Sequence, residues 1–240
     1  QVIKTIEQMG ARIHHVYGLT ETYGPHTVCA PQLSWKDLSP DDRAQIKARQ
    51  GVPYIVNGIG LRVVDEEMND VAQDGETMGE VVMKGNNVMA GYYADEEATE
   101  EAFKGGWFHS GDLAVWHLDG YIELRDRAKD VIISGGENIS TQEVEKVIMD
   151  HPAVLEVSVI GVPDDQWGEV PKAFVVVREG QEATAESIIS FTQERIARFK
   201  APKLVEFGDL PKTSTGKIQK YVLREKEWAG RSSRIQGSQV

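Results

Sequence analysis

Five of the six residues at 125–130 are charged, and a hydrophobic core cannot run through such a stretch. The segment reads as a solvated boundary, and the texture of the chain differs on its two sides. Before it, residues 61–65 and 79–85 alternate like strands between Gly, Asn and Asp. Residues 107–114 and 120–124 read as two more strands, joined through His117-Leu118-Asp119-Gly120, whose Asp-Gly favours a tight turn. With an acidic helix over 95–103, residues 51–127 form a small β-rich subdomain. Further upstream, Ile3, Ile6 and Met9 recur at helical spacing and Gly10 is a stop. A strand is expected over 11–16. An exposed helix is expected over 37–50, with Ser39 as N-cap and Pro40 at its first position.

After the boundary, helices alternate with strands. Strands are expected at 131–133, 154–162, 173–177 and 204–207, and helices at 143–151, with Thr141 as N-cap, and 185–199. In the second helix Ile188, Phe191, Ile196 and Phe199 share one face. The fold class is α+β throughout: residues 1–127, with the β-rich part inside them, then a compact α+β domain at 128–240. The last ten residues, from Arg231, read as a loose polar tail.

Charge narrows the partners. The chain of 240 residues carries 26 Lys and Arg against 38 Asp and Glu, a net charge of -12, which argues against nucleic acid or an anionic membrane as the main partner. No apolar run approaches the ~18 residues of a membrane span. The first residues do not read as a targeting segment. Cys29 is the single cysteine, so no internal disulfide can form.

Four loops hold the polar peculiarities, and each has two readings. Tyr17-Gly18-Leu19-Thr20-Glu21-Thr22 sets a hydroxyl beside a carboxylate, which suits phosphate and Mg2+; equally, it is a turn with a capping Thr. In Trp107-Phe108-His109-Ser110-Gly111-Asp112 the carboxylate could accept a ribose diol, or simply make a β-turn. The stretch 125–139 is a linker whose Ser134-Gly135-Gly136 also lets a backbone approach a ligand. Pro211-Lys212-Thr213-Ser214-Thr215-Gly216-Lys217-Ile218 is not a phosphate-binding P-loop, because Ile218 stands where Ser or Thr is required and Pro211 where the first Gly belongs. It reads as a flexible loop presenting one Lys, a point charge that suits phosphate and carboxylate oxygens, or as an ordinary surface loop.

In this order and spacing, with Gly91-Tyr92-Tyr93 between them, the four loops resemble the C-terminal part of the adenylate-forming superfamily: acyl-CoA synthetases, luciferases and peptide-synthetase adenylation domains. The motifs are similar to Y-G-x-T-E, G-Y, W-x-x-[ST]-G-D, the hinge-and-glycine segment and P-[KR]-T-x-x-G-K. The resemblance implies an enzyme that activates a carboxylate with Mg·ATP to an acyl-adenylate, then passes the acyl group to coenzyme A. It implies Tyr17 against the adenine, with Gly18 beside it in the nucleotide site. It gives Thr20 a phosphate contact, Glu21 the Mg2+ ion, and Asp112 the ribose hydroxyls, with Arg127 helping. Lys129 takes the hinge position, where the small C-terminal domain swivels between half-reactions. Lys217 bridges the carboxylate and α-phosphate oxygens. Ser134, Gly135 and Gly136 line the pantetheine path, with Trp167 and Phe199 near the CoA nucleotide, where they could equally be ordinary core or surface aromatics. Lys200 and Lys203 could meet CoA phosphates or be solvated.

The family's Ser/Thr/Gly-rich phosphate loop is absent, so the resemblance implies a C-terminal fragment that does not adenylate by itself. The loops look most like short- or medium-chain acyl-CoA synthetases. A non-catalytic nucleotide- or partner-binding fragment, an aryl-CoA ligase and a luciferase-like enzyme stay open. The expected partner is a small carboxylic acid, with no nucleic acid and no membrane span, and a homo-oligomer is allowed. The final Gly-Ser-Gln-Val is not a peroxisomal signal, which makes the cytoplasm the expected location.

Overall fold

The computed structural model describes residues 2–56 and 60–229. The polar tail expected from Arg231 lies outside the described residues. Two compact units divide between Arg125 and Asp126, inside the charged boundary.

The first unit opens with α1 (Val2–Gln8), then β1 (Val16–Tyr17), β2 (Thr27–Val28), α2 (Pro40–Lys47) and β3 (Val52–Pro53), the three strands pairing antiparallel in the order β1-β2-β3. The strand expected over 11–16 is therefore almost entirely irregular: only Val16 pairs, against Val28. α2 begins as its sequence dictates, with the Ser39 hydroxyl accepting the Asp42 N–H and Pro40 just inside. A four-stranded antiparallel sheet follows, β4 (Gly60–Val64), β5 (Met78–Lys84), β6 (Phe108–Trp116) and β7 (Ile122–Arg127), in that order. α3 (Glu96–Ala102), capped by Asp95, lies between β5 and β6 in sequence. Val63, Val81, Met83, Phe108, Ala114 and Ile122 are buried beneath the sheet. Trp35, Tyr121 and Cys29 form a second cluster. The Tyr121 hydroxyl donates to the Ala30 carbonyl at 2.5 Å, tying that cluster to the loop after β2.

The second unit contains β8 (Ile132–Ser134), β9 (Glu137–Ile139), α4 (Thr141–Met149), β10 (Val154–Asp164), β11 (Gly168–Val177), α5 (Ala185–Gln193), β12 (Leu204–Phe207) and α6 (Lys220–Trp228). β10 and β11 pair along their length, and β12 runs parallel to β11. Ile132, Val144, Ile148, Val159, Val175 and Ile188 bring α4 and α5 onto the sheet.

Two helix boundaries differ from the sequence reading. Ser140, not Thr141, caps α4, accepting the Glu143 N–H at 3.2 Å. Thr141 is occupied elsewhere: its hydroxyl donates to Asp126 Oδ2 at 2.9 Å. α5 stops at Gln193, after the Thr192 hydroxyl turns back to the Ile188 carbonyl at 2.7 Å. Phe199 thus lies beyond the helix, 45% exposed, while Ile196 still packs on the core.

Candidate functional site

In the first unit, the turn after β1 is built by Thr22. Its hydroxyl oxygen accepts the Leu19 N–H at 2.9 Å and lies 3.0 and 2.9 Å from the Leu19 and Gly24 carbonyls. The capping threonine exists, and it is not Thr20. With Thr22 consumed by the fold, Thr20 is left exposed and Glu21 half-buried. Gly18 is required by close approach, since a Cβ there would lie 2.0 Å from the Gly24 carbonyl oxygen. The segment after β5 straps this turn. Met89 N–H donates to the Glu21 carbonyl at 2.7 Å, and Asn87 Nδ2 to the Thr22 carbonyl at 2.8 Å. The Tyr92 hydroxyl reaches Glu21 Oε1 at 3.3 Å. Burial first, and the Glu21 carboxylate second, push the Tyr92 phenol above its usual range, so it stays a donor.

Asp112 is 9% exposed, and its Oδ2 accepts the Tyr17 hydroxyl at 2.7 Å. Residues 95 positions apart are therefore brought together, at the end of β1 and in β6. A carboxylate fixed in this way can take a pair of hydroxyls.

In the second unit, Gly135 and Gly136 form the turn between β8 and β9, with φ of +59° and +89°. Both angles lie in the left-handed region where glycine is unstrained. Gly135 N–H donates to the Trp167 carbonyl at 2.9 Å. A Cβ at Gly135 would stand 2.6 Å from Cε3 of the Trp167 indole. The indole is 47% exposed and rests on that glycine. Asp164 Oδ1 fixes the Trp167 turn by accepting the N–H groups of Gln166 and Trp167, both at 2.9 Å. Ser134, Gly135, Gly136 and Trp167 thus form one surface. Phe199 is exposed, but Lys200 donates to both oxygens of Glu143, at 2.9 and 2.7 Å, and so is an ion-pair partner rather than an open phosphate ligand.

Lys217 is exposed on a turn more ordered than its Ser and Thr content suggests. Thr213 N–H donates to the Lys217 carbonyl at 2.8 Å, Gly216 N–H to the Thr213 carbonyl at 2.9 Å, and Lys217 N–H to Thr213 Oγ1 at 3.1 Å. At the boundary, Arg127 N–H donates to Asp126 Oδ1 at 2.8 Å. Lys129 is exposed, and its carbonyl accepts Arg224 Nη1 at 3.1 Å. Arg224 also pairs with buried Asp130. The sequence reading gave no role to Asp126, Arg224 or Glu80. Glu80 alone had a signal, a lone carboxylate within an apolar strand run.

Two stretches of the chain match known families; Tyr17, Glu21, Trp167 and Lys217 lie inside them, and Asp112 and the Ser134-Gly135-Gly136 turn lie between them. Residues 1–93 match the AMP-binding enzyme family, and residues 143–217 the AMP-binding enzyme C-terminal domain. The chain belongs to the AMP-binding enzymes. Among curated relatives of this AMP-binding chain, 4-hydroxybutyrate–CoA ligase 2 of Metallosphaera sedula is 51% identical over 222 residues, covering 92% of the chain and 40% of the relative. Acetate–CoA ligase CCL3 of Humulus lupulus is 54% identical over 231 residues, covering 94% of the chain and 40% of the relative. The chain therefore spans about two fifths of the length of these relatives. Among solved structures, o-succinylbenzoate CoA synthetase from Bacillus subtilis, in complex with its acyl-adenylate intermediate, superposes with a TM-score of 0.79 at 30% identity. It covers 93% of the chain and 43% of that structure. The α+β mixture of the two units agrees with this fold.

Proposed function

We propose that this AMP-binding chain supplies part of an acyl-CoA synthetase, which adenylates a short- to medium-chain carboxylic acid with ATP and then forms a thioester with coenzyme A. The observation that carries the reading is the Tyr17–Asp112 bond beside the Glu21 turn. It sets a ribose acceptor and a candidate metal carboxylate on one unit. The names of the relatives, ligases of 4-hydroxybutyrate and acetate, support a small acid.

In this reading Asp112 accepts the ribose diol, Tyr17 lies against the adenine with Gly18 beside it, and Arg127 assists. Thr20 contacts phosphate. Among the described residues, no group of three or more His, Cys, Asp or Glu could hold a metal alone. Mg2+ keeps water and needs only one or two carboxylates beside substrate phosphates; Glu21 would supply one. Bound there, Mg2+ would neutralise phosphate charge. Lys217 places a cation between carboxylate and α-phosphate oxygens, stabilising the charge that develops as they join. Lys129 is the hinge. Ser134, Gly135, Gly136 and Trp167 line the route of the CoA thiol arm, with Phe199 nearby.

The test is carboxylate-dependent ATP–pyrophosphate exchange, over acids from acetate to dodecanoate. It is run on the 240-residue chain and on the chain extended upstream to the length of its relatives. Exchange by the extended protein with short or medium acids, lost in Lys217→Ala, supports the reading. No exchange with any acid overturns it.

A further inference from the structure

The ladder between β5 and β6 is interrupted where the nucleotide carboxylate leaves it. Glu80 pairs with Leu113 and Val82 with His109, so Ser110, Gly111 and Asp112 together stand opposite Val81 alone. A bulge of this kind strands backbone groups that regular pairing would satisfy, and re-aims the side chains it carries. Side chains fill the gap. The Ser110 hydroxyl donates to the Val81 carbonyl at 2.6 Å, and Asp112 N–H donates to Ser110 Oγ at 3.1 Å. Gly111 N–H donates to Glu80 Oε1 at 2.9 Å. The second carboxylate oxygen, Oε2, lies 2.7 Å from His109 Nδ1, and His109 Nε2 lies 3.1 Å from the Lys104 carbonyl. Glu80 thus grips the bulge at its crest and at its entry.

Gly111 has φ of +68°, with open space where a Cβ would sit. Backbone conformation, not crowding, calls for glycine there. A left-handed crest held by a single side-chain acceptor is a shape that depends on that acceptor. The next residue is Asp112, whose Oδ2 is 2.7 Å from the Tyr17 hydroxyl.

We propose that Glu80 is a positioning residue: by accepting Gly111 N–H and holding His109, it fixes the Ser110-Gly111-Asp112 bulge and so sets the Asp112 carboxylate for a nucleoside diol. The inference rests on the reading of Asp112 given above. It adds a residue on the neighbouring strand that touches no nucleotide and acts only through the bulge.

Two measurements test it. The first needs no ligand: amide spectra of the 240-residue chain and its Glu80→Ala and Glu80→Gln forms. Glu80→Ala shifts the Gly111 and Asp112 amides and the Tyr17 ring signals, and leaves those of Leu61 and Val63 in place. Glu80→Gln, which keeps an acceptor oxygen, shifts them less. Unmoved Gly111, Asp112 and Tyr17 signals in Glu80→Ala overturn the proposal whether or not the chain binds nucleotide.

The second compares affinity for AMP and for 2′,3′-dideoxy-AMP on the extended protein, with Asp112→Ala as control. The AMP preference falls about tenfold in Glu80→Ala, the scale of a hydrogen bond to a charged group, and recovers in part in Glu80→Gln; dideoxy-AMP affinity holds. A purely structural loss would weaken both nucleotides alike and leave the ratio intact, which would overturn the proposal. If Asp112→Ala collapses the ratio and Glu80→Ala does not, the proposal falls and the Asp112 reading survives. If Asp112→Ala leaves the ratio unchanged, the Asp112 reading falls and takes with it the diol part of the proposal.

Discussion

Asp112 and Lys217 are each a single charge on which the proposed chemistry turns, and the two units hold them differently. Asp112 is 9% exposed, bonded to Tyr17 and carried on a bulge whose backbone is tied down by Ser110 and Glu80. Lys217 is exposed, on a turn whose hydrogen bonds mostly close on itself through Thr213. A group that reads a rigid diol gains from being fixed before the ligand arrives. A cation that must meet two different anions is better presented at the surface on a small ordered turn. In the proposed chemistry, Asp112 of the first unit would recognise and Lys217 of the second would deliver.

The sharpest way to break that contrast is Lys217→Ala. Exchange by the extended protein should fall by about 10²–10³, the usual loss when one electrostatic stabiliser is removed. The melting temperature should barely move, since exposed substitutions usually stay within about 0.5 kcal/mol. A large drop in melting temperature would make the lysine part of the structure instead.

Asp126→Ala addresses the same unit from its buried side. Asp126 is 2% exposed; its Oδ2 accepts both the N–H of Thr141, at 2.5 Å, and the Thr141 hydroxyl, at 2.9 Å. Removing it leaves an N–H at the start of α4 buried without an acceptor, at a cost of about 3 kcal/mol. Hydrogen exchange resolved by segment is the measurement, because two units need not unfold together. Protection should fall in α4 and hold in β4 and β5; a uniform fall would mean that the two units are not separate in stability.

Arg224→Met is expected to cost less, about 2 kcal/mol, by freeing the Lys129 carbonyl and leaving Asp130 without its guanidinium. Its particular effect is at the boundary. Trypsin should cut after Arg127 and Lys129 faster than in the wild type. Unchanged cutting would show that α6 does not restrain this segment.

Much of this was legible in the sequence, and the failures share a cause. Ser39 and Pro40 mark the start of α2, and the strand at 204–207 is found where expected, because local chemistry decides both. The four loops were also legible as motifs. What the sequence hid was which partner each side chain would choose. Thr141 looks like a cap, but Asp126, 15 residues earlier, takes its hydroxyl, and Ser140 caps instead. Gly135 looks like turn chemistry, and it is also the seat of Trp167. Thr20 and Thr22 are equivalent on paper, and only the fold shows which one the turn consumes. α6 was not expected at all. Its charges are paired: Lys220 with Glu145 and Arg224 with Asp130.

The smallest expected effect separates the units by pH. Burial pushes the Cys29 thiol up to about 11, against the pull of Arg49 and Lys47. A thiol whose folded pKa exceeds its unfolded value favours the fold while it is protonated. That contribution is complete below pH 9.0, the ordinary value, and is lost as pH rises through about 11. In the second unit, Glu145 is also pushed upward by burial, from 4.5, so its contribution is lost on the acid side as pH rises above that value. Lys172, raised by its bonds to Glu206 and Glu227 against burial, keeps its contribution below 10.5 and loses it only above that. Between pH 9 and 10 the thiol should therefore cost the first unit about 1 kcal/mol while the second changes little. Segment-resolved exchange at pH 8, 9 and 10, corrected for intrinsic rate, would read it. The slope in the first unit should flatten in Cys29→Ala, and an unchanged slope would assign it to the other raised groups of that unit, Tyr121 and Tyr92.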